Sequence, residues 1–291
     1  MRVISTNIFK AFEKRLRYMR LGISSVGSSS SGNSYLISDG DTHLVLDAGV
    51  SCKKIVESIE SYGIDKSEVS GIFITHEHLD HVKSVGTLAK KLENSLVFTS
   101  RGTAYSSDKF ERISEKRTMY MASQDEVMRG DIRVKAFSLS HDAAEPLGFS
   151  FSKDDTKITV VTDTGVVTDE IFEEIKTSDV IVMEANHEVN ILQYGPYPYS
   201  LKRRIMSDKG HLSNVSAAES MTNAIEYRRS AGKPKLRILL AHLSTTNNTP
   251  YQAKLTVTNV LEENGIYKGR DFDIGVALKD VPSLMIQGYS I

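Results

Sequence analysis

The sequence feature that most constrains this chain is the run His-Glu-His-Leu-Asp-His, which begins at His76 and follows the apolar stretch 71–75. The apolar stretch predicts a buried strand, so the polar run falls where that strand ends. Residues two apart in an extended chain point the same way, so His76 and His78 can bind one metal ion. Asp80 and His81 lie beyond the bend and can reach a second ion. A solvated polar turn is the alternative interpretation, but the residue pattern favours a metal site.

Length and composition are those of an ordinary globular protein. With 291 residues, 40% of them hydrophobic, the chain can bury a substantial core in one large domain or two small ones. No apolar stretch approaches the ~20 residues that span a bilayer, and no N-terminal segment has the pattern of a secretory signal. The single cysteine, Cys52, excludes an intramolecular disulfide and is expected on a helix face rather than as a nucleophile. We therefore expect a cytoplasmic protein without membrane contact.

Positive charge is concentrated at the N-terminus. The whole chain has a net charge of −1, whereas residues 1–18 alone carry +4. Apolar residues at positions 8, 9, 12, 16 and 19 predict a basic amphipathic helix there. Such a segment either binds nucleic acid or a membrane surface, or is an extension ahead of the folded part, with Met19 as the natural start. We favour the extension and expect one folded domain over 19–291.

The hydrophobic pattern predicts a mixed α and β protein. No low-complexity linker or internal repeat divides the chain after residue 20. Early strands come in hairpin-like pairs and helices follow in blocks, which favours two sheets flanked by helices. Strands are predicted at 34–38, 43–47, 71–75, 95–99, 132–138, 148–151, 157–163, 180–184 and 236–242, and helices at 53–61, 81–92, 169–177, 214–229 and 251–263.

Three further polar residues lie at the ends of predicted strands. His141 follows one strand, and Asp163 and His242 each end another. Taken singly, each is more simply interpreted as a hydrogen-bonded structural histidine or a turn-capping aspartate. Together with the cluster at 76–81, they supply the ligands that a two-metal site needs. A carboxylate between two cations, here Asp163, can bridge them.

These residues resemble the signature of the metallo-β-lactamase-fold hydrolases, which is H-x-H-x-D-H followed by a lone His, a bridging Asp and a last His. The resemblance extends from about Leu21 to the last predicted strands and includes Asp47 in Leu-Val-Leu-Asp-Ala-Gly. It implies an α+β fold, a four-layer αββα sandwich with the metal ions at one edge of the two sheets. Asp47 would orient the metal-binding loop through hydrogen bonds.

The resemblance also implies a ligand set and two divalent metal ions. Zinc, manganese and iron all suit such ligands, so the metal stays open at this point. Asp80 would also orient the attacking water. Carried over position by position, the resemblance implies that His76, His78 and His141 hold one ion, that Asp80, His81 and His242 hold the other, and that Asp163 bridges them.

Glu184 and His211 resemble the Glu and His of the tRNase Z-type phosphodiesterases. In those enzymes a carboxylate-held histidine donates a proton to the departing oxygen. An alkoxide leaves poorly unless it is protonated, and histidine titrates in the range required. His187 is a second candidate for this role. Ser213 and Asn214 can alternatively be simple caps of the helix that follows.

The narrowest resemblance is to the YycJ/WalJ-like bacterial branch, which is associated with 5′→3′ DNA exonuclease activity. It is carried by a Gly/Ser-rich loop from Gly27, by Tyr-Pro-Tyr-Ser-Leu-Lys-Arg-Arg from Tyr197, and by the motifs Gly-His-Leu-Ser-Asn and Ala-His-Leu-Ser. The serine turn can bind an anion, and the basic run can pair with phosphates next to tyrosines that stack a base. A plain turn and a solvated basic face are the alternatives. The candidate substrate contacts are Ser29, Ser30, Asn33, Lys202, Arg203, Arg204, Ser213 and Asn214.

The sequence hypothesis is a dinuclear metal-dependent phosphodiesterase that acts on DNA ends as a 5′→3′ exonuclease. Only 78 residues separate Asp163 from His242, too few for the inserted domain of the β-CASP nucleases, and no long tRNase Z-like arm is evident. The mild acidity of the chain favours a short grip on one strand end over a large duplex footprint. A hydrolase of cyclic phosphodiesters or thioesters and an RNA nuclease are the alternatives on the same fold. The oligomeric state is left open.

Overall fold

The computed structural model describes residues 20–288, and the basic segment predicted at 1–18 lies outside them. Among the described residues, fourteen strands form two seven-stranded sheets. The strands are β1 (Gly22–Gly27), β2 (Ser34–Ser38), β3 (His43–Leu46), β4 (Val69–Phe73), β5 (Leu96–Thr99), β6 (Thr118–Tyr120), β7 (Glu126–Arg129), β8 (Ile132–Ser138), β9 (Leu147–Lys153), β10 (Thr156–Val161), β11 (Val180–Glu184), β12 (Leu236–Ala241), β13 (Phe272–Val276) and β14 (Ile286–Gln287). The sheet orders are β14-β1-β2-β3-β4-β5-β6 and β13-β12-β11-β10-β9-β8-β7.

Helices cover the outer faces of the two sheets. None in the described part of the chain is long and apolar enough to cross a bilayer. They are α1 (Cys52–Ser61), α2 (Leu79–Val82), α3 (Val85–Lys91), α4 (Arg101–Tyr105), α5 (Asp169–Lys176), α6 (Val189–Tyr194), α7 (Tyr199–Ile205), α8 (Asn214–Ser230) and α9 (Pro250–Glu263).

Three apolar layers hold the sandwich together. Between the sheets, the rings of Phe73 and Phe149 meet edge to face with their centroids 5.4 Å apart. Ile59 of α1 packs on the outer face of the first sheet, and Met221 of α8 packs on that of the second. Each sheet thus buries both of its faces and the covering helices bury one, and burial of this kind contributes about 25 cal/mol per Å². The predicted α+β class and αββα order are confirmed.

The topology brings distant residues to one sheet edge. Strands β3 to β6 are parallel in the first sheet, and β10 to β13 are parallel in the second. Parallel neighbours end at the same edge, so the residues that follow them meet there. These residues are Asp47 after β3, His76 after β4, Asp163 after β10, Glu184 at the end of β11 and His242 after β12.

Four predicted strands, those at 43–47, 71–75, 157–163 and 236–242, end one or two residues earlier than expected, and a distinctive backbone accompanies three of these ends. Asp47, Asp163 and His242 have φ angles of 59°, 60° and 53°, in the left-handed region. A residue with that backbone geometry cannot continue a strand. The turn in the backbone therefore directs each side chain away from the ladder and toward the sheet edge.

The single helix predicted at 81–92 is two helices, α2 and α3, separated by Ser84. Ser84 donates from its backbone N and its hydroxyl to the carbonyl of Ala48, at 2.8 and 3.0 Å. These bonds tie the break to the loop after β3, a tertiary contact that periodicity does not reveal. The elements that were not predicted are short: β1, β6, β7, β13 and β14, and helices α4, α6 and α7.

Candidate metal centre and cleft

All seven predicted metal ligands meet at the shared sheet edge. In the described part of the chain, their ligand atoms form overlapping groups in which all atoms lie within 4.8 Å of one another. Glu184 and His211 adjoin them. The groups are His76, His78 and His141; His76, His81 and Asp163; Asp80, His81 and His242; and Asp163, Glu184, His211 and His242.

Asp47 fixes the orientation of His81. Its Oδ2 atom lies 2.7 Å from His81 Nδ1, and its Oδ1 atom accepts from the backbone N of Thr75 at 2.9 Å. A carboxylate only accepts hydrogen bonds, so in neutral His81 the proton sits on Nδ1. His81 Nε2 then carries a lone pair, and it lies 3.1 Å from Asp163 Oδ2. This is the arrangement by which an outer carboxylate orients a metal-binding imidazole.

Glu184 performs the same function for two other histidines. Its Oε1 atom accepts from Nδ1 of His242 at 2.7 Å and from Nδ1 of His211 at 2.8 Å. The backbone N–H groups of Thr164 and Leu212 donate to its Oε2 atom, each at 3.1 Å. Burial alone would raise the pKa of Glu184, but the nearby imidazoles outweigh burial and lower that pKa to about 2. The sequence indicated only the link to His211, whereas Glu184 also holds the candidate ligand His242.

His141 and His76 follow the same pattern. His141 Nδ1 lies 3.1 Å from the carbonyl oxygen of Gly210, and its Nε2 atom faces His78 Nδ1 at 3.2 Å. His76 Nδ1 lies 3.0 Å from the hydroxyl of Thr75. Each ring therefore uses one nitrogen for a protein partner and turns the other into the site.

The inward atoms fit a divalent cation. His76 Nε2 and Asp163 Oδ2 are buried and lack a hydrogen-bond partner, although such groups are nearly always paired in proteins. His242 Nε2 lies 3.2 Å from Asp80 Oδ2 and 3.3 Å from Asp163 Oδ1. Burial lowers the pKa of His242, but Asp163 and the other carboxylates outweigh it and raise that pKa to about 10. The site thus favours positive charge, and protons and metal ions would compete for it.

The loop that carries the His-x-His-x-Asp-His motif is locked against its neighbours. The backbone carbonyl of Asp80 accepts from the N–H of Asn33 at 2.8 Å. A Cβ atom at Gly49 would lie 1.5 Å from the same carbonyl oxygen, so only glycine fits there. Glu77, which is not a ligand in the predicted set, accepts from the backbone N of Ala144 at 2.7 Å. Glu77 therefore holds the loop that carries His141, a role the sequence did not indicate.

A cleft of about 410 Å³ opens over these groups. Two of the eight predicted substrate contacts, Ser30 and Arg204, line it, together with Leu79 and Tyr197. Asp142 holds Arg204 through two contacts, Nε to Oδ2 at 2.5 Å and Nη2 to Oδ1 at 3.0 Å. The rim thus combines a fixed guanidinium, a hydroxyl and apolar surface.

The other residues of the serine turn and of the helix after His211 have structural contacts. Ser29 is buried, and Asn33 donates to its carbonyl at 2.9 Å and approaches His81 Nε2 at 3.1 Å. Ser213 accepts from the backbone N of Ser216 and caps α8. Asn214 is buried and bonded to Glu188 and Asn248. The structure therefore places Ser29, Asn33, Ser213 and Asn214 outside the cleft lining.

The basic run Lys202–Arg204 is also divided, because only Arg204 lines the cleft and the other two side chains have structural contacts. Lys202 donates to the carbonyl oxygens of Gln193 and Gly195, at 2.9 and 2.7 Å. Arg203 lies over the Tyr199 ring at 5.9 Å from its centroid. Neither lines the cleft, because consecutive residues of a helix point in different directions.

The sequence interpretation missed two polar residues of the cleft, Asn186 and Ser244. Asn186 lies two residues beyond Glu184 and donates from Nδ2 to the carbonyl of His242 at 3.0 Å. Ser244 lies two residues beyond His242, and its backbone N donates to the carbonyl of Asn186 at 2.8 Å. The search for polar residues just after predicted strands, which identified the candidate ligands, would have found both if it had extended two residues further.

Fold and site together define a metal-binding hydrolase of the αββα class. The model of the β-lactamase superfamily domain matches residues 42–230, and the chain belongs to that superfamily. The chain is 36% identical over 256 residues to exodeoxyribonuclease YycJ of Bacillus anthracis, covering 88% of this chain and 95% of that protein. It is also 36% identical over 260 residues to exodeoxyribonuclease WalJ of Streptococcus pneumoniae, covering 86% and 91%. These relatives confirm the resemblance to the YycJ/WalJ-like branch.

A solved structure shows the same fold at low sequence identity. The metallo-β-lactamase fold protein YhfI from Bacillus subtilis superimposes with a TM-score of 0.67 at 13% identity, covering 91% of this chain and 99% of that one. The chain is therefore a hydrolase whose fold and clustered ligands are those of divalent-metal enzymes.

Proposed function

We propose that the protein is a two-metal phosphodiesterase that removes nucleotides from the 5′ end of DNA. The observation that carries this proposal is the convergence of inward-facing nitrogen and oxygen atoms from His76, His242 and Asp163. Of these atoms, His76 Nε2 and Asp163 Oδ2 lack a hydrogen-bond partner. A nucleic acid substrate is supported by the two exodeoxyribonuclease relatives, which match nearly the whole chain.

The candidate ligands would hold two divalent ions, which supply a more acidic water and offset charge on the phosphoryl oxygens. Asp80, whose side chain is 24% exposed, accepts a hydrogen bond from the attacking water and orients it. Glu184 binds His211 Nδ1 and leaves Nε2 for the cleft that His211 lines. From that position Nε2 donates a proton to the leaving oxygen.

Two pKa shifts support His211 rather than His187 as the proton donor. Burial lowers the pKa of His211, but the negative charge of Glu184 outweighs burial and raises that pKa above its ordinary value. Burial lowers the pKa of His187 to about 4, so His187 is neutral at physiological pH. A general acid must carry its proton before the reaction, which favours His211.

The rim of the cleft supports a polymer end as substrate. Arg204 presents a guanidinium that Asp142 holds in place, and such a group suits phosphate recognition. Leu79 at the opening is 61% exposed, and Tyr197 offers an aromatic face for a base. An exposed apolar group at the mouth suits a substrate that extends beyond the site better than one that is enclosed.

The test is a time course on linear DNA labelled at the 5′ or the 3′ end, in zinc and then in manganese. We expect metal-dependent release of mononucleotides from the 5′ end. Asp80→Ala, run in parallel, should abolish release and exclude a contaminating nuclease. Release of mononucleotides from the 3′ end would contradict the proposed 5′→3′ polarity.

Inert DNA would overturn the substrate assignment. Turnover of bis-p-nitrophenyl phosphate by the same preparation would then retain the metal chemistry. The substrate would have to be sought among RNA and small phosphodiesters.

A further inference from the structure

A second aromatic surface lies on the same sheet edge as the candidate metal centre, outside the cleft. It consists of Arg101, Tyr105 and Tyr120, which we call the outer platform. The Arg101 guanidinium lies 4.4 Å from the centroid of the Tyr120 ring. The rings of Tyr105 and Tyr120 are 6.0 Å apart and inclined by 26°, and Tyr105 is 74% exposed. The three side chains thus form a preassembled stack with one open aromatic face.

The topology fixes the platform relative to the metal centre. Tyr120 ends β6 and pairs with Thr99 of β5, and α4 follows β5 at the same edge. The strand that leads to His76 is β4, two places from β6 in the sheet. Neighbouring strands are about 4.8 Å apart, so β6 lies about 10 Å from β4 within the sheet.

The platform is also connected to the loop that carries His141. Ser100, which precedes α4, donates from its hydroxyl to the carbonyl of Glu145 at 2.7 Å. The backbone N of Gly102 donates to the Glu145 side chain at 2.7 Å. The same loop is held at Ala144 by Glu77 of the metal-binding motif. Platform and ligands are therefore parts of one hydrogen-bonded frame.

We propose that the outer platform binds the single strand of DNA that extends beyond the scissile bond, by stacking one base on Tyr105 and pairing a phosphate with Arg101. This proposal rests on the proposed function and adds a second binding position to it. Base–aromatic stacking is tolerant of sequence, as an exonuclease requires, and Arg adds charge complementary to the backbone. At about 3.4 Å or more per nucleotide, an offset of about 10 Å corresponds to two or three nucleotides.

The test is a comparison of oligothymidylates of about two, four and eight nucleotides, with kcat and KM measured for each. Tyr105→Ala should raise KM about 5- to 100-fold on the longer oligomers without changing kcat, because stacking of one base is lost. The dinucleotide should be unaffected because it does not reach the platform. Tyr105→Phe should behave as the wild type because it keeps the ring.

A matched control exists on the opposite edge of the second sheet. Tyr267 is 48% exposed, with Arg270 over its ring at 4.7 Å, and it precedes β13 rather than following a strand. Tyr267→Ala should leave KM unchanged at every length. Turnover of bis-p-nitrophenyl phosphate reports whether each variant keeps an intact centre.

Three outcomes would overturn the platform. These are a KM of Tyr105→Ala that stays constant at all lengths, a KM that rises equally on the dinucleotide, and an equal rise in Tyr267→Ala. Wild-type protein that turns over bis-p-nitrophenyl phosphate but no oligonucleotide would instead overturn the proposed function and the platform together.

Discussion

Two buried glutamates of this protein have a pKa of about 2, yet their surroundings differ. Glu184 at the metal edge is bonded by the imidazoles of His211 and His242. Glu174 on α5 is bonded by the ammonium groups of Lys135 and Lys157, at 2.7 and 2.6 Å. Burial would raise the pKa of Glu174 too, and the lysine hydrogen bonds outweigh it.

The difference lies in what surrounds each carboxylate. Both oxygens of Glu174 meet a permanent positive charge, and Ser150 adds a third bond at 2.6 Å. In the cluster that adjoins Glu184, the buried atoms His76 Nε2 and Asp163 Oδ2 remain without hydrogen-bond partners. Burial and a shifted pKa therefore do not distinguish a functional site from a structural ion pair. A functional site is distinguished by buried acceptors that face one another and lack hydrogen-bond partners.

The largest expected effect separates His211, which is hydrogen-bonded to Glu184, from His187, the second candidate proton donor. His211→Ala should lower turnover by about 10²- to 10⁴-fold, the range for loss of a general acid, while metal content stays unchanged. Because the pKa of His211 is raised, wild-type activity should fall as pH rises above that pKa, and this limb should disappear in the variant. The measurements are turnover as a function of pH and the metal content of each variant. His187→Ala is the control, and a loss equal to that of His211→Ala would contradict the assignment.

The next effect tests whether Asp47 acts through His81. Asp47→Asn keeps the size of the side chain but removes the charge that orients the imidazole, so metal affinity should fall about 10- to 100-fold. Competition with a fluorescent zinc chelator measures it. Asp39→Asn is matched, because Asp39 is also buried and charge-paired, with Lys153, away from the metal centre. An equal loss of metal affinity in both variants would mean that Asp47 acts only as a structural residue.

The Glu174 cluster should affect stability rather than activity. Glu174→Gln should lower the free energy of unfolding by about 1–3 kcal/mol at pH 7, the usual contribution of hydrogen bonds to charged groups. The folded pKa of Glu174, about 2, lies below the ordinary value of 4.5. The stabilisation is therefore full above pH 4.5 and is lost as pH falls toward 2. Urea unfolding at about pH 7, where this stabilisation is full, and at about pH 3, where part of it is lost, measures the difference between Glu174→Gln and the wild type.

The neighbouring surface residue Glu173 provides the control for this prediction. Its side chain is 62% exposed and pairs with Lys176. Glu173→Gln should change stability by less than about 0.5 kcal/mol. A gap between Glu174→Gln and wild type that stays constant with pH would mean that packing, not charge, holds the cluster.

The smallest effect concerns the rim. Arg204→Ala should reduce the slope of log affinity for DNA against log salt by about 1, as expected for one phosphate contact. Arg203→Ala and Lys202→Ala should leave the slope unchanged, because those side chains do not line the cleft. Fluorescence anisotropy over a salt series distinguishes the three. A uniform change in all three variants would restore the interpretation of the whole run as one basic surface.

The sequence identified the residues that cluster at the candidate metal centre much better than those that line the rim, for a physical reason. His141, Asp163 and His242 are readable because a polar residue that ends an apolar strand stands out against its surroundings. Lys202, Arg203 and Arg204 are adjacent in a short helix, and only tertiary contacts decide that one faces the cleft while another binds two carbonyls. The break at Ser84 and the hold of Glu77 on Ala144 likewise depend on residues distant in sequence.

The backbone at Asp47, Asp163 and His242 sets stability against activity. A residue other than glycine in the left-handed region costs about 1–3 kcal/mol, and these three accept that cost to face the sheet edge. Glycine adopts this geometry without strain, but at Asp47 or His242 it would remove a hydrogen bond from the buried partner, His81 or Glu184 respectively. The strained backbone and the candidate metal centre are therefore kept together, because the residue that would relieve the strain lacks the side chain that reaches the sheet edge.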